Sequence, residues 1–298
     1  MSSREDIEFR TQDGLTLRGH LYPSGSNSAA VLMTPGFNTV KDVFLPNIAH
    51  HFQKAGITAL VYDPRTISSS DGTPRGDIDP AVQVRDYHDA LTFLKSQPGV
   101  DSRRIVYWGF SFSGAVALCA AALDKRAAAV IAVCPLTIWD LPPGKRSRVL
   151  AKAMQDRESQ LAGNEAFRLP MVTATGENPA GFGGTGVGAA ELRVLAKAKE
   201  KLPEFDATTT LQTYYNIMAW DPFHLVPHLS PTPVLLVTPE NDAISPAEKQ
   251  RELYFDRIKG DKQMYLVPGR GHMDALDGHT FEPAMRAQVE FLERYLKD

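Results

Sequence analysis

Short, nearly unbroken apolar runs alternate with helical stretches along most of this chain, and that rhythm narrows the possible folds more than any other feature. Ala29–Thr34 reads AAVLMT, Ile57–Tyr62 ITALVY, Arg104–Gly109 RIVYWG, Ala128–Cys134 AAVIAVC, Pro233–Thr238 PVLLVT and Gln263–Val267 QMYLV. A strand with one wet face alternates polar and apolar residues, whereas a strand covered on both faces is apolar throughout, as in a parallel sheet. Helices are expected between the runs: Phe44–Ala55, Pro80–Gln97, Ser113–Leu123, one near Pro246–Ile258, and Glu282–Leu296. Val84, Tyr87, Leu91 and Leu94 recur at helical spacing, while Gly56 and Pro98-Gly99 supply stops. Asp6–Thr11 and Leu15–Tyr22 flank Gln12-Asp13-Gly14 as an antiparallel hairpin. The expected class is α/β: a mostly parallel sheet, an antiparallel N-terminal hairpin at one edge, and helices on both faces.

Between Leu136 and about His228 the rhythm breaks. Helical patches at Ser147–Leu161, Ala189–Leu202 and Thr210–Met218 surround a glycine-rich stretch, Gly181–Gly188. The expected division is a core of residues 1–136 and 229–298 with a helical cap or lid, residues 137–228, rather than a second sheet. Such an insertion lies over the carboxyl ends of the strands, where open α/β sheets keep their ligand crevice. A net charge of −3 over 298 residues argues against a nucleic-acid partner. No apolar run reaches the roughly 18 residues of a membrane span. The polar segment Met1–Arg10 offers no signal peptide, so the expected location is cytoplasmic. Cys119 and Cys134 read as buried small hydrophobes.

The strongest chemical signal is Gly109-Phe110-Ser111-Phe112-Ser113-Gly114. It follows a strand and opens a helix, the setting of a nucleophile turn, in which the flanking positions must be small so that strand and helix can approach. Ser113 falls within the first helical turn and points elsewhere, so Ser111 is the expected nucleophile. Chain order gives an independent check. A serine needs a base, and the base needs an acid to hold its tautomer. Asp242 lies in the loop after Pro233–Thr238, with Glu240 as the rival acid, and His272 lies in the loop after Gln263–Val267. Serine, acid and histidine in that order at strand ends lead to the expectation of an α/β-hydrolase fold with a Ser111-Asp242-His272 triad. An oxyanion hole requires two backbone N–H groups. Phe112 supplies one; Pro35 has no N–H, so Phe37 in Pro35-Gly36-Phe37-Asn38 is the other candidate.

Other motifs carry less. Gly181-Phe182-Gly183-Gly184-Thr185-Gly186 matches a dinucleotide fingerprint but follows no strand, so a flexible cap loop and no cofactor site are expected. His224 and His228 are separated by Pro227 and lack the glutamate of a zinc motif, so no metal is expected. His50-His51 are placed on a helix surface or edge. Asp63-Pro64-Arg65 and Ser70-Asp71-Gly72 are candidates for the pocket mouth or for plain loop structure. The charges of Arg193–Lys201 read as the solvated face of a cap helix.

Met33-Thr34-Pro35-Gly36-Phe37, Tyr62-Asp63-Pro64-Arg65, Gly72-Thr73-Pro74-Arg75, Leu91–Pro98, Trp108–Gly114 and Thr238–Asp242 together resemble the fungal polyketide transferase and thiohydrolase family. That family lies within the dienelactone-hydrolase-like α/β-hydrolases. The likeness spans nearly the whole chain and is weakest through Arg157–Glu191. The family more often has Gly where this chain has Ser113. The resemblance implies an enzyme of secondary metabolism that releases a polyketide acyl chain from the carrier domain of a polyketide synthase, with an acyl-thioester substrate. On that reading Ser111 takes the acyl group as an ester. His272 first accepts the serine proton and then activates the acceptor. A thiohydrolase using water is the leading expectation; transfer to an alcohol and a small-ester or lactone hydrolase are the alternatives. A non-catalytic binding protein on the same fold is the reading from another class, and the intact Ser111, Asp242 and His272 argue against it.

Overall fold

Strands in which every residue is buried form the middle of the sheet. In the computed structural model, which describes residues 4–183, 189–202 and 205–296, these are β3 (Ser28–Thr34), β4 (Thr58–Tyr62), β6 (Ala129–Val133) and β9 (Val234–Pro239). The hairpin β1 (Glu5–Arg10) and β2 (Thr16–Tyr22) forms one edge, β5 (Val100–Phe110) lies near the centre, and β10 (Lys262–Val267) closes the other edge. The eight strands run in the order β1-β2-β4-β3-β5-β6-β9-β10. Every pairing from β4 to β10 is parallel, while β2 pairs antiparallel with both β1 and β4.

Helices cover both faces, as the apolar strands demand. Helix α1 (Leu45–Lys54) lays Leu45, Ile48, Ala49 and Phe52 on one face, joined there by Met285, Phe291 and Leu292 of α8 (Phe281–Tyr295). On the other face sit α2 (Pro80–Lys95), α3 (Phe112–Leu123) and α7 (Ala247–Leu253). Val84, Tyr87, Leu91 and Leu94 of α2 are all buried there, as their spacing predicts. Asp79 starts α2 by accepting from the Ala81 and Val82 N–H groups, with Pro80 in the first turn. Gly56 ends α1 at φ 82°, with Gly56 N–H to the Gln53 carbonyl and Ile57 N–H to the Phe52 carbonyl. That pair of bonds is the Schellman arrangement, and it uses the left-handed backbone that glycine adopts without strain.

Between β6 and β9 lie α4 (Pro143–Leu161), β7 (Arg168–Pro170), α5 (Ala189–Lys201), β8 (Thr208–Thr210) and α6 (Gln212–Met218). The sequence reading gives this segment helices only; the structure adds an antiparallel two-stranded ribbon of β7 and β8. Three residues are too few for an alternating pattern to register. The ribbon is instead fixed from outside: Thr210 N–H and Thr209 Oγ1 both donate to the Gly76 carbonyl. Thr210, expected to open a helix, therefore ends a strand, and α6 begins two residues later. Of the glycine-rich stretch, residues 184–188 lie outside the described residues. Among the described residues no helix is long and apolar enough to cross a membrane.

Candidate active site

Parallel register brings the carboxyl ends of β3, β5, β6, β9 and β10 to one edge of the sheet. Thr34 of β3 pairs with Gly109 of β5, Val133 of β6 with Val237 of β9, and Pro239 of β9 with Val267 of β10. The loops that follow β3, β5, β9 and β10 carry Phe37, Ser111, Asp242 and His272.

Ser111 occupies the turn from β5 into α3 at φ 56°, ψ −116°. A non-glycine residue there is strained, and such strain persists only where the surroundings enforce it. The enforcing contact is the approach of the α3 backbone to the end of β5: a Cβ on residue 109 would lie 2.0 Å from the Ser113 carbonyl oxygen. Gly109 is thus required. Ser113 tolerates its side chain because its Oγ turns away and donates to the Pro35 carbonyl.

His272 Nε2 lies 2.7 Å from Ser111 Oγ, and its Nδ1 lies 2.8 Å from Asp242 Oδ2. An ionised carboxylate only accepts, so Nδ1–H donates to Asp242 and Nε2 is left to accept from the serine hydroxyl. All three residues are buried. Asp242 is held in turn by N–H groups of Ile244 (2.9 Å) and Ser245 (2.7 Å) on Oδ1, and by Gln250 Nε2 at 3.3 Å on Oδ2. Gln250 was not among the residues singled out from sequence. It is fully buried in α7, where it also accepts from Thr238 Oγ1 and donates to the Ser245 carbonyl. A lone glutamine in a short helix carries no signal for this role. The rival acid, Glu240, is exposed and accepts from the Gly269 N–H at 2.7 Å, away from the imidazole.

The loop after β3 closes on the same spot. A Cβ on Gly36 would meet Phe110 Cδ1 at 3.2 Å and Ser111 Cβ at 3.5 Å, so this backbone passes directly beside the serine. The N–H groups of Phe37 and Phe112 donate to no acceptor among the described residues. Their rings lie 5.5 Å apart.

Cys134 also lies here, with donor atoms of Cys134, Asp242 and His272 all within 4.8 Å of one another. Burial, and then the Asp242 charge, push its thiol well above the ordinary range, away from the thiolate that metal binding needs. With Asp242 and the imidazole already bonded to each other, Cys134 fits the part of a buried small hydrophobe. Cys119 is buried too, and both thiols are free.

Ser111 and His272 open into a cavity of about 990 Å³ whose inner wall includes Phe37, Trp108, Phe110, Leu136, Phe182 and Ile244. His50, His51, Lys54, Lys197 and Lys201 belong to its lining. The histidine pair lies on α1 with His50 exposed, as expected of a helix surface, and it also contributes to the cavity wall; the exposed Lys197 and Lys201 of α5 do so as well. Asp63, Arg65 and Asp71 do not line it. Asp63 pairs with Lys41 at 2.7 Å, Arg65 bridges Asp86 and Asp13, and Asp71 pairs with Arg18. Their work is to brace loops.

The alpha/beta hydrolase family model matches residues 31–284. The chain is 49% identical over 294 residues to a thiohydrolase of Eupenicillium brefeldianum, covering 98% of this chain and 95% of the relative. It is 47% identical to a polyketide transferase of Stachybotrys chlorohalonatus, covering 99% and 98%. Among solved structures, the alpha/beta hydrolase GrgF of Penicillium sp. sh18 is 42% identical, with a TM-score of 0.89 over 99% of both chains. DcsB, solved in complex with its substrate analogue, is 39% identical with a TM-score of 0.93, covering 98% of this chain and 99% of that one.

Proposed function

The chain belongs to the alpha/beta hydrolase family and, within it, to the fungal thiohydrolases and polyketide transferases, and on that premise we propose that it releases a polyketide acyl chain from the carrier domain of a polyketide synthase through an acyl-Ser111 intermediate. Membership supports an enzyme of hydrolysis or acyl transfer. What carries the finer reading is the hydrogen-bonded series Ser111–His272–Asp242 opening into a roomy, largely apolar cavity.

In the proposed reaction His272 Nε2 takes the Ser111 proton as Oγ attacks the thioester carbonyl carbon. Asp242 keeps the imidazole in the tautomer that presents Nε2 and stabilises the imidazolium. The carbonyl oxygen becomes an oxyanion received by the Phe37 and Phe112 N–H groups. Collapse breaks the C–S bond, and His272 returns the proton to the departing thiolate. Water then loses a proton to His272 and attacks the ester, and Ser111 recovers that proton as the acid leaves. Residues 137–228 act as the cap in this scheme, contributing Asn178 and Phe182 to the cavity. Water as acceptor follows the thiohydrolase relative; an alcohol, which would give an ester, is the second reading and follows the polyketide transferase relative.

The test is intact-mass spectrometry after offering acyl thioesters of increasing length, with and without an alcohol. Wild type is expected to gain one acyl group and then release acid. Ser111→Ala is expected to gain none while keeping its fold. Acylation of Ser111→Ala, or at Ser113, would overturn the assignment.

A further inference from the structure

The contacts among Ser111, His272 and Asp242 leave open what fixes the loop that carries Phe37. A donor to an oxyanion must sit within about 2.7–3.1 Å of where the charge develops, and a loop tip has no strand ladder to hold it there. Ser113 Oγ holds the base of this loop at the Pro35 carbonyl, and its tip is gripped by the segment between β6 and β9. The Asn38 side chain, buried and at φ 45°, donates through Nδ2 to the Thr208 carbonyl of the ribbon at 2.9 Å. The Phe37 ring packs on Phe182, with centroids 5.2 Å apart.

Phe182 is itself pinned. Asn178 Oδ1 accepts from the Ala180 and Phe182 N–H groups at 3.0 and 3.1 Å, and its Nδ2 donates to the Met171 carbonyl at 2.9 Å and to Tyr214 Oη at 2.8 Å. Two donors and two acceptor sites are all that an amide side chain offers, so Asn178 is fully used. It ties the end of the ribbon, the 178–182 turn and α6 into one unit, with Asn178 6% and Phe182 5% exposed. On the far side Phe37 meets Phe112, and Phe112 meets Trp139 at 5.0 Å. One continuous series of ring contacts therefore runs from the insertion through the side chains of Phe37 and Phe112, the residues whose N–H groups are the candidate donors.

We propose that Asn178, Phe182 and Asn38 are positioning residues through which residues 137–228 set the Phe37 N–H for catalysis. The inference rests on the reading of Phe37 as an oxyanion donor and extends it: the insertion builds part of the reacting centre as well as covering it. A drift of about 1 Å in such a donor costs up to about 100-fold in turnover.

The test compares Phe182→Ala and Asn38→Gly with wild type, using a short acyl thioester that does not fill the cavity. Glycine at 38 keeps the positive φ open while removing the donor to Thr208. Each variant is expected to lose about 10- to 100-fold in kcat with KM within about threefold. Each is expected to bind phenylboronic acid, whose serine adduct mimics the oxyanion, more weakly by a similar factor. Phe182→Tyr, which keeps the ring, is expected to restore both. A kcat and a boronate affinity within threefold of wild type in both variants would overturn the proposal, provided that Ser111→Ala is inactive. If Phe182→Ala fails to fold, Asn38→Gly decides alone, because it leaves the Phe182 ring in place. Turnover by Ser111→Ala would instead remove the reading beneath the proposal.

Discussion

Gly109→Ala is the substitution whose effect the structure sets most directly, because the added methyl runs into the Ser113–Gly114 peptide, which is backbone. Its Cβ would lie 2.0 Å from the Ser113 carbonyl oxygen, 2.4 Å from that carbonyl carbon and 2.7 Å from the Gly114 nitrogen. Ordinary Cβ contacts do not fall below 3.0 Å, so the end of β5 and the first turn of α3 must part by about 1 Å. No side chain can rotate away to absorb that movement. Ser111 sits between the two parting segments, and its Oγ is 2.7 Å from His272 Nε2. A shift of that size takes the pair beyond hydrogen-bond range. The expected loss is about 100-fold in kcat/KM, with about 1–3 kcal/mol of stability lost to overpacking. Steady-state turnover of a short acyl thioester and urea unfolding followed by circular dichroism measure the two effects. Ser113→Ala is the comparison: it keeps the Cβ and loses only the bond to the Pro35 carbonyl, so about 1 kcal/mol should go and kcat should fall far less than in Gly109→Ala. Gly109→Ala protein with wild-type kcat/KM and an unchanged urea midpoint would refute the argument from close approach.

Other outcomes follow from the same geometry. Asp242→Asn should lower kcat by about 10⁴-fold, because the amide can favour the wrong imidazole tautomer; Glu240→Gln, which alters only the Gly269 contact, should stay within about threefold, and the reverse ranking in a kcat assay would make Glu240 the acid. Gln250→Leu leaves Asp242 Oδ2 with one donor fewer and should cost about 1–3 kcal/mol of stability, read by urea unfolding. The hydrogen bond from His20 holds the Asp42 carboxyl at about 2, with Lys41 adding to it and burial opposing. Since the folded value lies below the unfolded one, its contribution of about 2 kcal/mol is present above pH 4 and drains away as pH falls toward 2. Asp42→Asn should flatten that part of a stability-against-pH curve, and an unchanged slope would remove the assignment. Iodoacetamide should leave turnover intact, since burial shields both thiols and disfavours their thiolates; loss of activity on alkylation at Cys134 would contradict this.

What the sequence determined by itself is what repeats or stays local. The runs AAVLMT, ITALVY and PVLLVT are apolar at every position because both faces of their strands are covered, and that pattern needs no neighbours to be read. Ser111, Asp242 and His272 were legible as candidates for a related reason: each lies in the loop that follows a strand, and parallel register carries all such positions to one edge. Tertiary structure decided what depends on partners distant in the chain. It placed Asp242 rather than Glu240 beside the imidazole, because two carboxylates in one loop differ only in where the turn aims them. It set Gln250 behind Asp242, turned His50 and His51 into cavity wall, and made strands of Arg168–Pro170 and Thr208–Thr210, segments too short to show a period. It also joined Asn178 to Phe37 through Phe182, across some 140 residues of chain. Those assignments rest on contact geometry between remote segments, which residue types and spacing do not encode.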